Sequence, residues 1–288
     1  MQTATGHMLV STDWLHENLN NSNLRVFDCT TILRPHPEKT YEALPARETF
    51  DEGHIPGAGF IDLQGDFSAP DSPFRFTLPD AAAFAAAAAR QGISNSSHLV
   101  LYSTTAPMWA TRLWWMFRVF GHERVSVLDG GFPRWRAEGK PVDQAPPIYR
   151  EGSYTATLDS SRVVDKAGVL AAIEDQNTCI INALSREQYR GEGPGYGRPG
   201  RIKGSESLPW SELLDELGCF LPAEKLREKL AGTSAPDAGR IITYCGGGIA
   251  ASVTLFALAL TGQEDRVALY DNSLSEWAAD SSAPMETG

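Results

Sequence analysis

The chain repeats itself. Tyr102-Ser103, Asp129 and Trp135 in the first half are answered by Tyr244-Cys245, Asp271 and Trp277 in the second, each pair 142 residues apart. Leu78-Pro79 and a helix expected from Asp80 to Gln91 are answered by Leu221-Pro222 and a helix from Ala223 to Leu230. His54-Ile55-Pro56-Gly57-Ala58 is answered by Arg201-Ile202-Lys203-Gly204-Ser205 at a slightly different spacing. This is one domain duplicated, and 288 residues suffice for two domains with a core each. Apolar runs of strand length at Leu24–Cys29, His98–Tyr102 and Val125–Leu128 alternate with helical patterns at Leu15–Asn20, Pro107–Phe120 and around Trp135. The alternation predicts α/β domains, each with a largely parallel sheet whose ligands sit beyond the strand ends. The expected units are 8–140 and 155–288, joined by an extended linker over 141–154 that holds Pro141, Pro146 and Pro147.

The copies part company after Tyr102 and Tyr244. In the second, Arg240-Ile241-Ile242-Thr243-Tyr244 ends on Cys245, Gly246, Gly247 and Gly248 follow, and an unbroken apolar segment runs from Ile249 to Leu260. That pattern reads as strand, tight loop, helix. Glycines let backbone fold closely around the sulfur, and the opening turn of a helix leaves N–H groups without internal partners. The N–H groups from Gly246 through Gly247, Gly248, Ile249 and Ala250 to Ala251 can therefore converge on one anion. A thiolate is such an anion. Free cysteine, with a pKa of ~8.5, is only about 3% ionised at pH 7, and this setting should raise the fraction. The bland alternative, a buried cysteine beside a turn, leaves three consecutive glycines unexplained. Cys29, Cys179 and Cys219 have no such loop and read as plain core or surface thiols.

Several classes are excluded by what the sequence carries. A net charge of −11 argues against nucleic acid or an anionic membrane as partner. Apolar runs such as Val253 to Leu260 are too short to span a bilayer, and the N-terminus carries no signal-peptide pattern. The expected compartment is the cytoplasm, which suits four cysteines without close pairs or metal-ligand spacing. No cofactor is expected: Gly246-Gly247-Gly248 is followed by no Lys-Ser or Lys-Thr and forms no spaced glycine fingerprint. All six histidines lie in the first half, so a Cys–His dyad would have to cross between domains; His54 reads as structural. An anionic substrate needs a local cation. Arg186, Arg190, Arg198, Arg201 and Lys203 fall within eighteen residues, around a loop containing Gly191, Gly193, Gly195, Gly197 and Gly200. Such clusters are usually solvated faces, yet arginine on a flexible loop grips carboxylates or thiosulfonates with two hydrogen bonds.

The duplicated α/β unit, the turn Gly53-His54-Ile55-Pro56-Gly57-Ala58, the loop Cys245 to Ala251 and the segment Tyr270-Asp271-Asn272-Ser273-Leu274-Ser275-Glu276-Trp277 together resemble a tandem-domain rhodanese, over nearly the whole chain. The resemblance implies two rhodanese-like domains, each a mostly parallel central sheet flanked by helices. It implies a sulfurtransferase whose Cys245 takes sulfur from thiosulfate or 3-mercaptopyruvate as a persulfide and passes it to cyanide or a thiol, with a silent first domain. Thiosulfate-type loops usually carry basic side chains after the cysteine, whereas mercaptopyruvate-type loops read Cys-Gly-Ser-Gly-Val-Thr-Ala. The uncharged loop here is closer to the second, although Gly247 stands at the serine and Gln64 and Phe76 stand at that subgroup's Asp and His. The family places substrate arginines near Tyr189. One position is Gln188 here, so the carry-over falls on Arg190 and Arg198.

Two other readings compete. A cysteine phosphatase or arsenate reductase would share the anion cradle but needs Arg six residues after the cysteine, where this chain has Ala251. A non-catalytic binding module would keep the fold and never load sulfur. Oligomeric state is left open.

Overall fold

The computed structural model describes residues 8–36, 41–145, 147, 149–193 and 195–288. The first half contains β1 (Leu9–Val10), β2 (Leu24–Asp28), a hairpin of β3 (Thr31–Arg34) and β4 (Glu42–Pro45), β5 (Ala58–Phe60), β6 (His98–Tyr102) and β7 (Val125–Leu128). The second contains β8 (Val163–Val164), β9 (Thr178–Asn182), β10 (Arg201–Ile202), β11 (Glu206–Ser207), β12 (Arg240–Tyr244), β13 (Val267–Tyr270) and β14 (Met285–Glu286). Two five-stranded sheets result, ordered β1-β7-β6-β2-β5 and β8-β13-β12-β9-β11, with every pairing parallel. The orders are the same once the second half is superposed on the first, as the repeat demands. Central strands read as continuous apolar runs because helices cover both faces.

The two halves meet along a pair of helices, Met108–Val119 and Ala251–Leu260. Ten of twelve residues in the first and nine of ten in the second are buried, so neither shows a polar stripe. Trp114 meets Phe256 edge-to-face at 4.8 Å, and the hydroxyls of Thr111 and Ser252 lie 2.7 Å apart. Each domain also clasps the other. Leu78 N–H donates to Asp271 at 2.7 Å, and 142 residues away Phe220 N–H donates to Asp129 at 2.9 Å. The duplication has become a pseudo-two-fold interface.

Local departures from the sequence reading have local causes. The first helix runs Thr12–Asn18, earlier than expected, because the Ser11 side chain accepts the Trp14 N–H and caps it there. The helix after Cys245 begins at Ala251 rather than Ile249, since Ser252 and Val253 N–H bond three residues back, to Ile249 and Ala250 carbonyls, in a tighter first turn. The β3–β4 hairpin, at Arg34–Glu42 its last paired position, went unread in a polar stretch broken by Pro37. Residues 37–40 lie outside the description, as does Pro146 of the expected linker. The described linker residues are laid firmly on the first domain: Asp143 and His54 exchange two backbone bonds of 2.9 Å, Tyr149 donates to the Gly57 carbonyl, and Gly152 N–H donates to Ala89 at 2.8 Å. No described helix is long and apolar enough to cross a membrane.

Candidate active site

Cys245 follows β12 at the C-terminal edge of the second sheet and is 2% exposed. Its carbonyl accepts Leu274 N–H at 3.1 Å, and the Gly246 carbonyl accepts both the N–H and the hydroxyl of Ser275 at 2.8 Å. With these carbonyls turned away into the 273–275 turn, the N–H side of the loop is left open. Among the described residues, the N–H groups of Gly246, Gly247, Gly248, Ile249, Ala250 and Ala251 meet no acceptor in the protein. Six donors without partners beside one sulfur are an anion cradle.

The three glycines serve different ends. A Cβ on Gly248 would stand 2.3 Å from the Asp271 carbonyl, and φ there is +75°. At Gly246 a Cβ would stand 1.8 Å from the Tyr196 ring, so that ring rests on the bare backbone beside the cysteine. Gly247 is open, its nearest neighbours being the hydroxyls of Ser275 and Tyr41 at 3.7 and 3.8 Å from a built Cβ. Only two of the three positions demand glycine.

Residues outside the loop hold it in shape. The Ser273 hydroxyl accepts Cys245 N–H at 3.1 Å and donates to the Tyr270 carbonyl at 2.8 Å. Arg112, fully buried on the first domain's interface helix, reaches across: Nη2 lies 2.6 Å from Asp271 Oδ1 and donates to the Phe76 carbonyl, while Nη1 donates to the Gly248 carbonyl. Removing one partner of such a buried pair typically costs about 3–5 kcal/mol. Among the described residues only Phe76 (φ +60°) and Ser273 (φ +50°) are non-glycines in the left-handed region, and both belong to this site. Phe76 is fixed from both ends, its N–H donating to Gln64 Oε1 at 2.9 Å. Backbone strain concentrated here is what a preorganised site shows.

Two phenols stand beside the loop, Tyr41 of the first domain against Gly247 and Tyr196 of the second against Gly246. Burial first, then the adjacent Cys245, pushes both above the ordinary tyrosine range. The Arg75 guanidinium stacks over Tyr41, 5.3 Å from its ring centre. Burial pushes the Cys29 thiol well up, Cys179 to about 11, and Cys219 up. All four are free. No described group of three or more His, Cys, Asp or Glu could hold a metal ion.

Of the arginines expected from sequence to bind substrate, Arg198 lines a small cavity with Tyr196 and Leu274, which touch Gly246 and Cys245. Arg198 donates to the carbonyls of Ala278 and Trp277 at 3.3 Å, Ala283 at 2.9 Å and Asp280, so its Nε and Nη2 staple the C-terminal turn. Arg190 forms a two-point pair with Glu192, with bonds of 3.0 and 2.9 Å, and its side chain is 41% exposed. Arg201 spends itself on Gly288 and Glu286, and Arg186 on Glu212. Four of the five cations thus bond to acids or to carbonyls of the C-terminal segment, some eighty residues away in sequence, while the Lys203 side chain makes no such bond among the described residues. His54 stacks on Phe50 and bonds its carbonyl at 2.8 Å, the structural role expected of it.

Comparison with known proteins agrees with this geometry. The model of the rhodanese-like domain matches residues 11–138 and again 166–280. The chain is 35% identical to thiosulfate sulfurtransferase of Cricetulus griseus over 289 residues, covering 97% of this chain and 94% of that one. It is 33% identical to 3-mercaptopyruvate sulfurtransferase of Escherichia coli, covering 96% and 97%. The crystal structure of SseA from Escherichia coli, described as a 3-mercaptopyruvate sulfotransferase with the rhodanese fold, superposes with a TM-score of 0.82 at 30% identity over 92% of this chain and 98% of that one. With two domain matches, near-complete coverage and the same fold, the chain belongs to the rhodanese family of sulfurtransferases.

Proposed function

We propose that the protein moves a sulfane sulfur from a small anionic donor, thiosulfate or 3-mercaptopyruvate, to cyanide or a thiol through a persulfide on Cys245. The observation that carries this is the run of six unpartnered N–H groups, from Gly246 to Ala251, that follows one cysteine. The Cys245 thiolate attacks the donor's transferable sulfur. With thiosulfate, the S–S bond breaks and its electron pair leaves on sulfite; with 3-mercaptopyruvate, the C–S bond breaks and its pair leaves as the enolate of pyruvate, which takes up a proton. The acceptor then attacks the terminal sulfur, and the pair of the persulfide bond returns to Cys245. The outer sulfur of the persulfide is an anion, and preorganised N–H groups stabilise it without a side-chain base. Four free, buried cysteines suit a reducing compartment such as the cytoplasm.

Intact-mass spectrometry after exposure to each donor tests the proposal and names the donor. One sulfur atom should be gained on Cys245. Cys245→Ser should gain none and lose all transfer while melting like the parent, because serine is nearly isosteric but holds no persulfide. Full activity in that variant refutes the assignment.

A further inference from the structure

We propose that Arg75, on the domain without a nucleophile, is the cation that anchors the anionic end of the donor over Cys245; the inference rests on the sulfurtransferase reading above. Its first support is the pseudo-symmetry. The small pocket over Ser103, the counterpart of Cys245, is lined by Thr105, Pro107, Gly130 and Gly131 of the first domain together with Leu217 and Gly218 of the second. Moved by the 142-residue repeat, Leu217 and Gly218 become Arg75 and Phe76, so each domain caps the other's loop with the same turn. The backbone supports the equivalence: φ is +77° at Gly218 and +60° at Phe76. A left-handed turn suits glycine and strains phenylalanine, and that strain is held by Gln64 and Arg112 immediately beside Arg75.

The second support is charge. Leu217 over the silent site is apolar and 71% exposed, whereas the same position over Cys245 is a guanidinium. Among the described residues Arg75 has no ion pair and no hydrogen bond, and only stacks on Tyr41, whose hydroxyl points to Gly247. It is half-buried. Arg186, Arg190 and Arg201 are paired with acids or carbonyls and Arg198 gives its Nε and Nη2 to carbonyls of the C-terminal turn, whereas the whole Arg75 guanidinium is left to bind a carboxylate or sulfonate.

Two measurements decide the matter. Sulfur loading of Cys245 as a function of donor concentration should show the apparent KM raised about 10- to 100-fold in Arg75→Ala for thiosulfate and 3-mercaptopyruvate alike, with Arg75→Lys intermediate and the final stoichiometry unchanged. If only one donor is affected, that donor's anionic group is the one Arg75 holds. Independently of any sulfur chemistry, the ratio of Cys245 alkylation rates by iodoacetate and by iodoacetamide should fall about tenfold on Arg75→Ala, since only the first reagent carries a carboxylate. An unchanged ratio overturns the assignment, as does Arg190→Ala raising KM where Arg75→Ala does not. Absence of sulfur on the parent's Cys245 with either donor would instead defeat the sulfurtransferase reading, and the alkylation ratio would still decide whether Arg75 holds anions there.

Discussion

Ser103 and Cys245 close the same strand of the two sheets, and their carbonyls are held alike: Phe132 N–H donates to Ser103 at 3.0 Å, and Leu274 N–H donates to Cys245 at 3.1 Å. The donor side differs at two of the six matching positions, 104 and 107. The Ser103 hydroxyl donates back to the Ala106 carbonyl at 2.6 Å, the Thr104 N–H is taken by Thr30 Oγ1 at 2.8 Å, and Pro107 has no N–H to give. Gly131 repeats the left-handed turn of Ser273, at φ +54° against +50°, but brings no hydroxyl. The scaffold that shapes the turn survived in both copies, while the first copy spends one donor, at Thr104, and lacks another, at Pro107. On the proposed mechanism the loop's backbone N–H groups matter as much as the sulfur, and the first copy lacks the sulfur and two of the six donors.

Changes in the active loop should divide by what each glycine does. Gly248→Ala forces a Cβ onto the Asp271 carbonyl at a positive φ, so the cradle must shift, and kcat/KM should fall by about 10²-fold or more. Gly247→Ala, which introduces at the position of Thr105 a Cβ with only ordinary contacts, should cost no more than a few-fold. Steady-state rates of the two variants measure the difference, and equal losses would mean that the glycines act only through flexibility.

A smaller effect probes the silent side. Asp28 and Asn182 occupy matching ends of β2 and β9, opposite Tyr102 and Tyr244. Burial pushes the Asp28 carboxyl up to about 6, against bonds from Thr30, the same residue that takes the Thr104 N–H. A carboxyl whose pKa is raised on folding penalises the folded state as pH climbs from about 4 to 6, and the penalty is complete above that window. Asp28→Asn, which copies the second domain, should raise Tm by about 2–4 °C at pH 7.5, with the gain fading toward pH 4. A Tm difference independent of pH would contradict this.

Much of the site was legible in the sequence, and the remainder failed for identifiable reasons. The repeat, the strands on either side of each loop and the Cys-Gly-Gly-Gly turn rest on local patterns, and they stand where periodicity put them. The charge cluster showed only part of its role, because the partners of Arg198 are backbone carbonyls of residues 277–283, which composition does not reveal. Arg112 and Tyr196 carry no sequence signal at all, since their roles depend on the interface between domains and on a long loop. Ser273 and Arg75 were within reach. The same offset that aligned Cys245 with Ser103 aligns Ser273 with Gly131 and Arg75 with Leu217, and each pair exchanges a functional group for an inert one.

The most direct test of the account is sulfur loading on a cysteine placed in the silent loop. Ser103→Cys in a Cys245→Ser background, exposed to thiosulfate and to 3-mercaptopyruvate and followed by intact-mass spectrometry, should gain no sulfur while the parent protein does, because losing even one preorganised donor costs on the order of 10²–10³ in rate. Appreciable loading of residue 103 would show that the first loop's backbone is competent and that the domain fell silent through its nucleophile alone.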